Sequence, residues 1–195
     1  IMATLIPFDT GKEVKERFTD KTINELVKAC FDMGEVKTGA LIVIEQENRL
    51  SEYERTGINI DAVLTSQLLI NIFEHNTPLH DGAVIVRGDR IVRGNRVAAA
   101  TCYLPLSDNM ELSKQLGTRH RAGVGISEVS DSLTIIVSEE TGNVSIAQGG
   151  RLTRCTNSAA LRSALVKAQN KTVVENGKLR HLLKGRVKHE DKTTK

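Results

Sequence analysis

Aromatic side chains are scarce: there is no tryptophan, and Tyr and Phe together make up 3% of the sequence. That scarcity argues against a stacking platform for single-stranded nucleic acid. Charge of one sign is also lacking. A net charge of +3 is too small to mark nucleic acid as a main partner. No apolar run reaches the ~18 residues a membrane-crossing helix needs, and no signal-peptide pattern is visible. Three cysteines, Cys30, Cys102 and Cys155, are odd in number and form no C-x-x-C pair, so buried free thiols in a reducing compartment are expected. The phosphate loop G-x-x-x-x-G-K-[ST], the dinucleotide G-x-G-x-x-G, the nucleophile elbow G-x-S-x-G, the zinc helix H-E-x-x-H and cysteine-histidine zinc spacing are all missing. Several common routes to catalysis are thereby set aside.

What remains is an ordinary globular composition, 39% hydrophobic and 26% charged over 195 residues. It fits one domain that buries roughly 70% of its surface on folding. The Ile1-Met2-Ala3 opening reads as an artificial junction, and residues 1–18, which lack periodicity, read as an N-terminal arm. Residues 19–170 read as the folded domain. Residues 171–195 carry eight Lys and Arg against three Asp and Glu. They read as a basic, disordered tail, with attraction to anionic lipid as the other reading.

Within the domain, Asp20 is placed to cap a helix with Ile23, Leu26, Val27, Cys30 and Phe31 on one face, and Gly34 to end it. Ala40–Ile44 is a β-branched run suited to a buried strand, and Glu45–Arg55 is loop-like. A strand over Ile58–Val63 precedes a helix capped by Thr65, with Leu68, Leu69, Ile72 and Phe73 inward and a stop near 74–76 enforced by Pro78. Strands are expected at Ala83–Val86 and Val97–Leu104. Between them, Val86-Arg87-Gly88-Asp89-Arg90-Ile91 is nearly echoed by Val92-Arg93-Gly94-Asn95-Arg96-Val97, which predicts a long-looped hairpin. Pro105–Glu111 reads as a loop, Leu112–Leu116 as one helical turn, and Arg119–Val129 as a helix of small residues. Leu133–Val137 and Val144–Ala147 are expected to pair through the turn Thr141-Gly142-Asn143. Gly149-Gly150 forms another turn, and Asn157 caps a last helix with Leu161, Ala164, Leu165 and Ala168 inward. The class is α/β, a single domain with a central mixed sheet flanked by helices.

Three clusters carry chemistry. His80-Asp81-Gly82-Ala83 enters a strand after the turn at Thr77-Pro78. There Gly82 lets a ligand approach the backbone, while Asp81 can take a metal or polarise a hydroxyl, and His80 is the histidine best placed as a metal ligand. Gly117-Thr118-Arg119-His120-Arg121 sits at a helix start, where unpaired N–H groups, a hydroxyl and guanidinium groups suit phosphate. The bland alternative there is a solvated basic turn whose arginines pair with acids such as Glu128. Ser138-Glu139-Glu140 ends a strand, where α/β sheets place their ligands. Adjacent glutamates on an extended chain point to opposite sides, so one of the two is expected to face a given site. Jointly the clusters point to nucleotide handling.

In this order, and with Tyr103-Leu104-Pro105-Leu106-Ser107, Gly125-Ile126-Ser127-Glu128-Val129-Ser130-Asp131 and Val137-Ser138-Glu139-Glu140-Thr141-Gly142 alongside, the clusters closely resemble the diadenylate cyclase (DAC) domain from about Phe18 to Arg154. The membrane-associated CdaA (DacA) branch is the nearest likeness, although the 86–97 hairpin is longer than expected there. The resemblance implies condensation of two ATP into cyclic di-AMP, with release of two pyrophosphates, at the interface of a face-to-face dimer or larger oligomer. It implies that Asp81, Arg119 and Glu139 carry catalysis, Asp81 assisting the attacking hydroxyl. His80 and Asp81 would hold Mg²⁺ or Mn²⁺. Gly82, Ala83, Tyr103, Leu104, Gly117, Thr118, Arg119, His120, Arg121, Ser138 and Glu140 would bind nucleotide, Tyr103 and Leu104 at the adenine. Glu139 or Glu140 would support the metal or the partner's nucleotide. It further implies a place on the cytoplasmic face of the bacterial membrane, upstream membrane helices lying outside this sequence, and a membrane-bound regulator and phosphoglucosamine mutase as partners. A catalytically idle nucleotide-binding regulatory module on the same scaffold is the alternative.

Overall fold

The computed structural model describes residues 19–89, 94–109 and 116–169. The readings of an N-terminal arm, a hairpin tip, a turn at Leu112–Leu116 and a basic tail lie wholly or mainly outside those residues. Seven strands form one mixed sheet in the order β2-β4-β3-β1-β5-β6-β7. They are β1 (Ala40–Ile44), β2 (Ile58–Val63), β3 (Ala83–Asp89), β4 (Gly94–Cys102), β5 (Leu133–Val137), β6 (Val144–Gln148) and β7 (Arg151–Cys155). Only β1 and β3 run parallel among the paired strands; every other neighbouring pair is antiparallel.

Alternation along the central strands sends side chains to two cores. Ile42, Ile44, Val84, Val86, Ile135 and Val137 face α1 (Asp20–Glu35), α3 (Ser66–Phe73) and the helix over 158–169. Leu41, Val43, Ile85, Ala99 and Ile136 face α4 (Thr118–Val129) and the segment around the short α2 (Ser51–Glu54). Central strands buried on both faces explain why β1 and β5 read as unbroken apolar runs rather than alternating ones.

The caps follow the expected chemistry with small shifts. Thr19, not Asp20, caps α1, its Oγ1 accepting from Thr22 N at 3.2 Å, and the helix passes Gly34 to a C-cap at Val36. Thr65 caps α3, accepting from Leu68 N at 3.1 Å. A second acceptor comes from Glu25 on α1, whose carboxylate takes the Ser66 N–H at 2.6 Å. That bond holds the Glu25 carboxyl below its ordinary value. Asn157 caps the last helix, its Oδ1 accepting from Ala160 N at 2.9 Å. Several elements differ from the sequence reading, β7 among them, since no strand was expected over 151–155. The stretch 45–55 is not wholly loop, because α2 forms in it. Strand β4 begins at Gly94 and ends at Cys102, and the two halves of the echo pair antiparallel, with Val86 opposite Val97 and Gly88 opposite Asn95.

α2 lacks a side-chain cap of its own. Its entry is held by Glu45, 7% exposed, which accepts from Leu50 N at 2.9 Å and from Arg87 Nε at 2.8 Å. Burial pushes the Glu45 carboxyl up, but the Arg87 and Leu50 hydrogen bonds outweigh it and hold the group below the ordinary range. Glu45→Gln is therefore expected to cost about 3 kcal/mol near pH 7, leaving a half-buried guanidinium with one carboxylate fewer. A depressed folded-state pKa contributes stability above the unfolded value, and that contribution fades as pH falls through the folded one. The stability difference between the wild type and Glu45→Gln, measured by urea unfolding, should shrink between pH 6 and about pH 3. A pH-independent difference would show that the carboxylate's charge is not what matters.

Candidate functional site

One end of the sheet gathers the starts of β1, β3 and β6 with the ends of β4, β5 and β7. This follows from the pairings Ala40↔Val137, Ala83↔Cys102 and Val144↔Cys155. Helix α4 sets its N-terminus at that end, and a cleft of ≈ 890 Å³ lies there. The site is thus at the amino ends of the single parallel pair. The expectation that Ser138-Glu139-Glu140 meets a ligand at the end of its strand fits the cleft, which takes in the residues just past β5, and Asp81-Gly82 enters from the start of β3 as expected.

Asp81 and Gly82 form the first wall. Gly82 has φ +104°, a left-handed value, and a Cβ there would stand 2.7 Å from the Thr101 carbonyl carbon, so only glycine lets β3 start against β4. Ala83 is fully buried in the core and does not line the cleft. His80 does not line it either. Its Nδ1 lies 2.6 Å from the Thr77 carbonyl, which can only accept, so Nδ1 donates that bond.

Tyr103 and Leu104 form the second wall. Tyr103 is 74% exposed, while Leu104 packs on the core of the α4 face. The segment is pinned: Tyr103 N donates to Thr56 Oγ1 at 2.9 Å, and Ser107 N donates to the Arg121 carbonyl at 3.0 Å. Arg121 therefore reaches this wall through its backbone, and it is absent from the cleft lining. Glu128 accepts from the Ser107 hydroxyl at 2.6 Å rather than from an arginine.

The third wall joins Gly117, Thr118, Arg119 and His120 with Ser138, Glu139 and Glu140. Gly117 caps α4 without a side-chain acceptor, leaving the first N–H groups of the helix for a ligand or water. Arg119 Nη1 pairs with the Glu139 carboxylate, and Arg119 Nε is buried with no partner among the described residues. Burial lowers the His120 pKa, with Glu140 opposing the shift, so the ring is neutral at pH 7. Glu139 and Glu140 lie in a turn rather than on extended chain, and both line the cleft. The opposite-sides expectation fails for that reason. The turn is closed by Gly142 N donating to the Ser138 carbonyl at 2.8 Å.

Two features were not read from the sequence. Gly39 lies beneath the ion pair, where a Cβ would stand 2.8 Å from Arg119 Nη1 and 3.0 Å from Glu139 Oε2. Strand β7 and its partner β6 also add Ser145, Leu152 and Arg154 to the cleft. No group of three or more His, Cys, Asp or Glu residues is placed to hold a metal among the described residues. The donors present, Asp81 and Glu140 with His80 adjacent in sequence to Asp81, suit a hard cation that completes its shell with phosphate oxygens and water.

A helix N-terminus and a buried guanidinium nitrogen with no partner among the described residues, across one cleft from carboxylates, are groups that suit a phosphorylated ligand and its cation. The family model described as "DisA bacterial checkpoint controller nucleotide-binding" matches residues 27–152, and the chain belongs to that family. It is 53% identical over 156 residues to the cyclic di-AMP synthase CdaA of Bacillus subtilis, covering 80% of this chain and 55% of that protein. It is 49% identical over 152 residues to a diadenylate cyclase of Listeria monocytogenes, covering 78% and 54%. The crystal structure of a double mutant of DacA from Staphylococcus aureus superposes with a TM-score of 0.72 at 47% identity, over 76% of this chain and 95% of that one. A hypothetical membrane spanning protein from Bacillus cereus gives 0.65 at 40%, over 71% and 65%. The chain thus spans about half the length of the curated relatives it matches.

Proposed function

We propose that this chain is a diadenylate cyclase that condenses two ATP into cyclic di-AMP and releases two pyrophosphates. The observation that carries the reading is convergence: Asp81, Thr118, Arg119 and the Ser138–Glu140 turn come from three distant segments and line one cleft. In the proposed step, the 3′-hydroxyl of one ATP attacks the α-phosphorus of the other. A P–O bond forms, the bond between the α- and β-phosphates breaks, and pyrophosphate leaves. Asp81 takes the hydroxyl proton, the Thr118 hydroxyl and Arg119 hold the phosphate, and the Glu139 carboxylate fixes the Arg119 fork. Tyr103 and Leu104 supply the apolar wall for adenine. Asp81 and Glu140, with His80 adjacent in sequence to Asp81, would hold a Mg²⁺ or Mn²⁺ ion, which would neutralise charge on the phosphates.

One cleft holds one nucleotide in position for half of the reaction, so two copies meet face to face. The exposed Tyr103 and Leu106, both lining the cleft, suit burial against a second copy. Among the described residues no helix is long and apolar enough to cross a membrane. Association with the cytoplasmic face of the membrane, and with a membrane-bound regulator and phosphoglucosamine mutase there, is proposed for the full-length protein.

Pyrophosphate release from ATP and Mn²⁺, followed across protein concentration, tests the reading. Specific activity is expected to rise with protein concentration and then level off. Release at constant specific activity far below micromolar protein would contradict the two-copy arrangement, and no release from a protein shown to be dimeric would remove the cyclase reading.

A further inference from the structure

Arginines 119 and 154 both line the cleft, but their surroundings differ. Arg119 is held by a carboxylate, Glu139. Arg154, on the edge strand β7, donates from Nη2 to the neutral Asn143 Oδ1 at 2.6 Å, and no carboxylate pairs with it among the described residues. Asn143 sits in the turn before β6 and is itself tied down, its carbonyl accepting from Ser138 N at 3.0 Å. The Arg154 fork is therefore oriented without being neutralised, unlike that of Arg119. Ser145, 6% exposed and opposite Arg154 in register, lines the same wall. Leu152, two residues before Arg154 on the same face of β7, packs on the α4-side core and fixes that face towards the cleft.

We infer that Arg154, oriented by Asn143, is a second phosphate-binding position that takes the terminal phosphates of the nucleotide, and so the pyrophosphate that leaves. The inference rests on the proposed cyclase reading and extends it. Three carboxylates line the cleft, Asp81, Glu139 and Glu140, and Glu139 already offsets Arg119. A triphosphate needs positive charge beyond the α-phosphate grip, and Arg154 is the remaining arginine in the lining. A planar fork with donors left over after Asn143 matches paired phosphate oxygens better than an ammonium does.

Calorimetric titration of the wild type, Arg154→Ala and Arg154→Lys with α,β-methylene-ATP and with AMP, each with Mg²⁺, tests this. Arg154→Ala is expected to bind α,β-methylene-ATP roughly tenfold or more weakly. AMP, which lacks the terminal phosphates, should bind within about twofold of wild type, the loss being confined to charge-assisted bonds it never makes. Arg154→Lys should recover part of the loss. Arg154 is exposed on an edge strand, so the variants should fold, which an unchanged melting temperature would verify. Equal binding of α,β-methylene-ATP by the wild type and Arg154→Ala overturns the inference and leaves the cyclase reading standing. So does equal weakening of both ligands. Failure of the wild type to bind either nucleotide overturns both.

Discussion

Asparagine in place of Asp81 is expected to lower the rate of cyclic di-AMP formation by about 10²–10⁴-fold, the usual contribution of a positioned proton acceptor. Asn fills the same space and keeps one carbonyl oxygen, so the backbone at the start of β3 should not move. Gly82, with its positive φ, fixes where residue 81 sits, and Asp81 lines the cleft beside it. The change removes a charge, a proton acceptor and one charged oxygen of the proposed metal site, while the phosphate grip of Thr118 and Arg119 is left in place. Binding of α,β-methylene-ATP should fall far less than turnover, because Thr118 and Arg119 remain. A separation of rate from affinity identifies a group that acts on the reacting atoms rather than on substrate capture. Single-turnover rates beside calorimetric affinities provide the comparison. A rate within tenfold of wild type would show that Asp81 is not the proton acceptor.

Gly125→Ala is expected to destabilise the fold by about 3 kcal/mol or more, despite the ~1 kcal/mol that alanine gains over glycine in a helix. A Cβ at residue 125 would stand 2.1 Å from the Pro105 carbonyl oxygen and 2.8 Å from Ser107 N. Both atoms are backbone, and neither can step aside. The 103–107 segment is held at one end by Thr56 and at the other by the Arg121 carbonyl and Glu128. α4 would have to lift from the sheet, or the Tyr103–Leu104 wall would have to move. Thermal unfolding should show a drop of roughly 6–12 °C for a domain of this size. Because this segment is one wall of the cleft, nucleotide affinity should fall with stability. Melting within a degree or two of wild type would mean that the helix and the loop are not in contact.

How much of this was legible in the sequence depended on where each signal lay. β1 and β5 were readable because strands buried on both faces leave compact β-branched runs. Thr65 and Asn157 were readable because a side-chain oxygen before an apolar periodicity has one common use. β7 was not readable: Arg151, Thr153 and Arg154 are exposed on an edge strand, and only Cys155 is fully buried. Nothing in Arg-Leu-Thr-Arg-Cys alternates strongly enough to announce a strand. Missing β7 hid Arg154 and Leu152 from the site. The three clusters were found because each combines residue types that seldom serve packing alone, but their convergence depends on sheet order, which local patterns do not carry. The Glu139–Glu140 expectation failed on one local fact, a turn where extended chain was assumed. Gly39 carried no signal, since what makes it matter is an ion pair formed by residues 80 and 100 positions later in the chain.

The most direct test of the central claim is chromatographic identification of the nucleotide product after the purified protein is incubated with ATP and Mn²⁺, beside Arg119→Ala under the same conditions. Conversion of ATP to cyclic di-AMP with two pyrophosphates per product, lost in Arg119→Ala, is the predicted result. ATP recovered unchanged from dimeric protein, or converted only to ADP or AMP, would contradict the claim and leave the cleft as a site that holds a nucleotide without joining two.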